Sequence, residues 1–182
     1  MSKKRIVLIG AESTGKTELA KYLAKYFATD WVPEYAREYV ESLSNRYTYD
    51  DILHIAKKQI KIEKEYLKKT NNILFYDTFL IITKVWLDVV YNKCPNWIID
   101  NIKKSEIDLF LLCNNDIPWV KDNVRENGGE MRDKLFNIYR KELEYFNFDY
   151  EIIAGTGIKR KQKAVNIIEE KFKTNKITDN IF

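Results

Sequence analysis

Eight residues near the start of the chain, Gly10, Ala11, Glu12, Ser13, Thr14, Gly15, Lys16 and Thr17, carry the spacing GxxxxGK[ST]. The chemistry of that pattern is phosphate binding. Gly10 and Gly15 admit backbone angles that a side chain would obstruct, so the N–H groups of Glu12, Ser13, Thr14 and their neighbours can turn inward around an anion. A helix starting near Lys16 adds its positive dipole end, Lys16 reaches the β- and γ-phosphates, and the Thr17 hydroxyl is a ligand for Mg²⁺. The apolar run Ile6, Val7, Leu8, Ile9 before the loop and the helical pattern after it supply the strand, turn and helix that the motif requires.

In an open α/β sheet, ligands bind outside the carboxyl ends of the strands, so polar residues at those ends are the next candidates. Asp77 directly ends the run Ile73, Leu74, Phe75, Tyr76. There it can hold Mg²⁺ or its water shell, and it can also N-cap the helix that follows. Glu34, after a strand that Pro33 closes, can take a proton from a substrate hydroxyl or complement the dipole of the helix it begins. Arg37 lies on the same helical face, placed to neutralise phosphate charge or to pair with Glu34. Arg125 and Arg132 flank Gly128 and Gly129. On a glycine-hinged helical pair they would serve a lid that closes over a transferring phosphoryl group and excludes water. Tyr35, beside Glu34, and Trp119, in the lid, are the aromatics expected to stack on a substrate base, while Trp31, Trp86 and Trp97 read as core. Lys159, Arg160, Lys161 and Lys163 read as a solvated basic face, and His54, the lone histidine, sits mid-helix with no assigned role.

The elements that must position these groups alternate between strand-like and helix-like, the pattern of a parallel sheet covered by helices on both faces. Leu19, Ala20, Leu23, Ala24 and Phe27 form one helical stripe after the phosphate loop. Strands are expected near residues 6–9, 29–33, 73–76, 107–113 and 150–154, and helices over 34–43, 49–69, 80–91, 95–103, 118–127 and 130–146, with a closing helix to 172. The fold expected is α/β, a three-layer phosphate-loop NTPase with a five-stranded parallel sheet, forming one domain over residues 1–172 with a helical lid at about 116–146. Residues 173–182 read as a C-terminal tail.

The 182 residues suffice to bury a core without disulfides. A net charge of +4, from 31 basic against 27 acidic residues, suits an anionic ligand but gives no argument for nucleic acid. Cys94 and Cys113 lack CxxC spacing and read as buried free thiols of a reducing compartment. The apolar stretch near the amino terminus is too short for a signal peptide or membrane span, so the expected location is cytoplasmic.

Taken together, the phosphate loop, Val32-Pro-Glu-Tyr-Ala-Arg-Glu38, Tyr76-Asp-Thr78 and Asp116-Ile-Pro-Trp-Val120 with Arg125 resemble the ribosylnicotinamide kinase domain of NadR and its stand-alone relatives. The similarity runs from Arg5 to about Phe172. It implies a kinase of the nucleoside and nucleotide type that uses ATP and Mg²⁺ to phosphorylate the 5′-hydroxyl of nicotinamide riboside. On that resemblance the phosphate loop holds ATP, Asp77 and Glu34 serve Mg²⁺ and the ribose hydroxyl, and Arg37, Arg125 and Arg132 meet the phosphates. Gly155, Thr156 and Gly157 would lie near the adenine. The resemblance also leaves differences. NadR proteins carry an adenylyltransferase domain before the kinase, and this chain begins almost at the phosphate loop. Phe79 replaces the second acid of an Asp-Thr-Asp motif, and Pro33 replaces a tryptophan expected to stack on nicotinamide. The open alternatives are a kinase for another nucleoside or small alcohol, and a regulatory ATP-binding switch.

Overall fold

The computed structural model describes residues 3–70 and 72–173. Strands β1 (Lys4–Ile9), β2 (Trp31–Val32), β3 (Ile73–Asp77), β4 (Leu109–Cys113) and β5 (Tyr150–Ile153) form one parallel sheet in the order β2-β3-β1-β4-β5. Around it lie helices α1 (Lys16–Tyr26), α2 (Tyr35–Ser42), α3 (Tyr49–Lys69), α4 (Leu80–Tyr91), α5 (Asn96–Lys103), α6 (Glu130–Tyr145) and α7 (Gly157–Phe172).

β3 and β4 are buried at every position, and β1 from Ile6 onward, because both faces of the sheet are covered there. Alternate residues serve the two sides. Ile6, Leu8, Phe75, Leu109 and Leu111 pack with Leu19, Leu23, Val165 and Ile168 of α1 and α7. Val7, Ile9, Leu74, Tyr76, Phe110 and Leu112 pack with Ile52, Ile81, Val85, Ile98 and Leu143 of α3 to α6. Each such side chain contributes roughly 1.5–3 kcal/mol by leaving water, so the strand before the phosphate loop is firmly anchored at its apolar end. In the register, Leu8 lies opposite both Asp77 on β3 and Leu111 on β4. The chain runs from β1 to β2 and β3 on one side of it and then crosses to β4 and β5 on the other, so the crevice at the carboxyl ends opens above β1.

Local sequence sets the helix starts. Thr48 and Asp51 form a reciprocal capping box at α3. At α4 the N-cap is Phe79, with no side-chain cap, so the Asp77 carboxylate is not used as a cap and remains for the site.

One expected element is absent. Residues 118–127, read as a helix, form an irregular segment, and α6 begins only at Glu130 after Gly129 adopts φ 54°. Its backbone donors bind side chains instead of helical carbonyls. Val120 N–H donates to Ser13 Oγ, those of Val124 and Arg125 to Asp122, and those of Glu126 and Asn127 to Glu12. Cys113 is buried and Cys94 only half-buried, and both are free thiols. Among the described residues no helix is long and apolar enough to cross a membrane. The C-terminal tail beyond Lys173 lies outside the described residues.

Candidate active site

The phosphate loop turns through three residues of positive φ, Gly10 at 150°, Ser13 at 59° and Gly15 at 74°. A Cβ on Gly10 would stand 2.7 Å from the Cys113 carbonyl oxygen, so glycine is required where the loop crosses the end of β4. Thr14 Oγ1 donates back to Ala11 O at 2.8 Å, and Lys16 Nζ donates to the carbonyls of Gly10 at 3.0 Å and Ala11 at 2.8 Å. These bonds curl the loop and hold the ammonium over its concave side.

Below it Asp77 is fully buried at the end of β3. Its Oδ2 accepts from the Thr17 hydroxyl at 2.5 Å, while its Oδ1 is buried with no hydrogen-bond partner. An orphaned carboxylate oxygen beside a hydroxyl is a donor set that fits a hard cation. Burial raises the Asp77 pKa against the opposing pull of Lys16 and Thr17. Among the described residues there is no group of three or more acidic, histidine or cysteine side chains that could hold a metal ion. Glu34, the N-cap position of α2, sits near Lys16, Asp77, Arg37 and Glu12. Burial pushes its carboxyl up to about 7, with Asp77 and Glu12 adding to the rise and Lys16 and Arg37 opposing it.

A cavity of about 530 Å³ runs from this cluster. Its lining includes Gly10, Lys16, Thr17, Glu34, Arg37 and Arg125 and, among apolar and aromatic side chains, Val40, Tyr47, Trp86, Val89, Val90 and Met131. The segment 114–129 closes one side and is tied to the phosphate loop. Glu12 accepts from the Asn127 backbone and side-chain amides at 2.9 Å each, and Asp122 accepts from Arg37 at 2.7 Å while pairing with Arg125 at 3.3 Å. Those contacts hold the Asp122 carboxyl down at about 2, against the effect of its burial.

A sequence profile of the AAA domain matches residues 5–161 of this phosphate-loop architecture. The chain belongs to that family. A curated relative within reach is the "Trifunctional NAD biosynthesis/regulator protein NadR" of Escherichia coli strain K12, 28% identical over 152 residues, covering 81% of this chain and 37% of that protein. This AAA-domain chain therefore spans little more than a third of the relative's length. Among solved structures, NadR protein in complex with NR superposes with TM-score 0.79 at 21% identity, covering 98% of this chain and 52% of the other. NadR protein in complex with NAD and AMP-PNP gives TM-score 0.80 at 22% identity, with 99% and 52% covered. At these identities the superpositions establish the α/β fold with its parallel sheet.

Of the residues singled out in the sequence, Gly10, Glu12, Ser13, Thr14, Gly15, Lys16, Thr17, Glu34, Arg37 and Arg125 line the cavity together, with Asp77 bonded to Thr17 beneath them. Others are placed elsewhere. Tyr35 stacks near Tyr39 and His54 and hydrogen-bonds the His54 ring at 3.3 Å. Trp119 packs on Gly128, whose added Cβ would lie 3.3 Å from the indole. Neither lines the cavity. Arg132 is buried and donates to the carbonyls of Glu12, Ser13 and Ile117, so in this conformation it braces the phosphate loop. Gly155 donates its N–H to Asp116, and Gly157 starts α7 with φ 56°.

Arg160 corrects the reading of a solvated basic face. It is 3% exposed and donates to Thr14 O, Asn114 O, Gly155 O and the Asp116 carboxylate, joining the phosphate loop to the ends of β4 and β5. Lys161 is held by Glu18 at 2.7 Å. Sequence reasoning also missed Arg46, Tyr47, Trp86, Asp122 and Glu126. For Trp86 a signal was present, since Trp86, Val89 and Val90 stand at i, i+3 and i+4 of one helix and so share a face. Asp122 and Glu126 belong to an irregular segment with no periodicity to read.

Proposed function

We propose that this chain is an ATP-dependent kinase that phosphorylates the 5′-hydroxyl of nicotinamide riboside, giving nicotinamide mononucleotide. One observation carries the reading. A single cavity joins a phosphate loop to a set of apolar and aromatic side chains, and Glu34, whose pKa burial raises, lies beside Lys16, Asp77 and Arg37. The NadR relatives, one of them solved with NR, supply the substrate.

The backbone donors of the loop and Lys16 bind the β- and γ-phosphates of ATP. Thr17 and Asp77 would hold Mg²⁺, whose charge offsets that of the phosphates and the departing ADP. The acceptor hydroxyl attacks the γ-phosphorus as Glu34 takes its proton; the new O–P bond forms and the bond to the β-phosphate oxygen breaks. A carboxyl with pKa about 7 suits a base working near neutrality. Arg37 and Arg125 offset charge on the transferring group, and segment 114–129 with α6 covers it from water. The chain acts as one domain over residues 1–172, in the cytoplasm, where ATP and free nucleosides meet.

Purified protein incubated with Mg²⁺-ATP and a panel of nicotinamide riboside, ordinary nucleosides and shikimate-like alcohols is expected to release ADP with nicotinamide riboside. Slow hydrolysis indifferent to every acceptor would instead favour a regulatory ATPase.

A further inference from the structure

We propose that Gln59 is the positioning residue for Glu34: its side-chain amide grips the backbone on both sides of that acid and so aims the carboxylate at the acceptor hydroxyl. This rests on the kinase reading above and adds to it a group remote from the reacting atoms. Glu34 stands at a joint, after the two-residue strand β2 and at the N-cap of α2, with φ −72° and ψ 109°. Burial within α2 does not hold that joint, since none of the helix's eight residues is buried. The Glu34 side chain makes no capping bond to the helix and lies instead near Lys16, Asp77 and Arg37. The opening N–H groups of a helix have no partner within it.

Gln59 of α3 supplies one. Its Oε1 accepts from Tyr35 N–H at 3.1 Å, and its Nε2 donates to Pro33 O at 3.3 Å. The two bonds fall on the residues before and after Glu34, so they set the direction in which its side chain leaves the backbone. A donor on one residue and an acceptor on the other also fix which way round the amide sits. Gln59 is 7% exposed and continues the buried stripe of Ile52, Ile55 and Ala56 along α3. An apolar side chain is usual at such a place, and an unpaired amide there would be costly. Ile52 and Ala56 belong to the main core, which makes this part of α3 a firm base. Two further contacts, Tyr35 Oη with His54 at 3.3 Å and Tyr39 Oη donating to Asp51 at 2.7 Å, hold α2 against α3 without touching the backbone at Glu34. Gln59 does not line the cavity, so its effect on the reaction passes through Glu34.

The test is a double-mutant cycle on kcat for phosphorylation of nicotinamide riboside, with ATP affinity measured by calorimetric titration of each protein. Gln59→Met keeps the length of the side chain and removes both bonds. It is expected to lower kcat about 10–100-fold, the scale of an ångström-sized misplacement of a reacting group, and to leave ATP affinity within about twofold of the wild type. In the Glu34→Gln background there is no base to aim, so the same change should alter kcat by less than about threefold. A loss of equal size in both backgrounds, no loss in either, or an ATP affinity that falls together with kcat overturns the positioning role and leaves the kinase reading standing. A Glu34→Gln protein as active as the wild type removes the base, and this assignment with it. Wild-type protein that forms no phosphorylated riboside overturns the kinase reading itself.

Discussion

Replacing Arg132 with methionine separates two roles that this arginine could play. The resemblance to the NadR kinase domain would place it on phosphate, whereas the structure shows a guanidinium 7% exposed and spent on three carbonyls, Glu12 O at 3.2 Å, Ser13 O at 3.2 Å and Ile117 O at 2.9 Å. Methionine retains most of the volume, so the loss is chiefly polar. Charge-assisted bonds are worth about 1.5–3 kcal/mol each, and the cost of burying the charge offsets a large part of their sum. The expected net loss is about 2–4 kcal/mol. For a chain of this size that lowers Tm by about 5–15 °C and leaves the protein folded at 25 °C. A loosened phosphate loop should weaken ATP about tenfold, equivalent to about 1.4 kcal/mol, while kcat at saturating ATP falls by less than tenfold. Thermal melting, calorimetric titration with ATP and steady-state kinetics measure the three quantities. An unchanged Tm and ATP affinity with kcat down about 10³-fold would refute the bracing role, because that is the signature of an arginine acting on the transferring phosphoryl group.

The pH profile tests Glu34. Burial raises its pKa to about 7, so the unprotonated base is depleted as pH falls below 7, and kcat/KM for the acceptor should rise with pH up to about 7 and then level. Glu34→Gln should lower kcat by about 10²–10⁴-fold and remove this limb; a wild-type profile flat from about pH 5.5 to about pH 7.5, where a base with pKa about 7 would change activity by more than about tenfold, would count against a titrating base. Gly10→Ala forces a Cβ to within 2.7 Å of the Cys113 carbonyl at φ 150°. Denaturant unfolding should show a loss of about 2 kcal/mol or more, and titration a weaker grip on ATP; an unaltered midpoint would mean that the loop relaxes freely.

The sequence made the site's floor legible because its parts are local. Glycine spacing before a helix defines the phosphate loop, and an acid at the end of an apolar run marks Asp77, each within a handful of residues. The continuous apolar runs of β1, β3 and β4 identified a sheet covered on both faces. Residues 118–127 were misread as a helix because their conformation is fixed at long range, by Glu12 and Ser13 from the phosphate loop and by Arg37 from α2. Nothing within the segment announces these partners. Arg160 was hidden for the same reason: a basic run looks solvated until β4, β5 and the phosphate loop converge on one of its members. Tyr35 and Trp119 stood close in sequence to site residues, yet neighbours along a helix or an irregular loop point in different directions, and their rings pack outside the cavity.

The most direct test of the account is to detect the phosphorylated product itself. Mass spectrometry of a reaction containing Mg²⁺-ATP and nicotinamide riboside should show nicotinamide mononucleotide formed in step with ADP, and the signal should vanish in Lys16→Ala and in Asp77→Asn. ADP formed without nicotinamide mononucleotide, or product formed undiminished by Asp77→Asn, would contradict it.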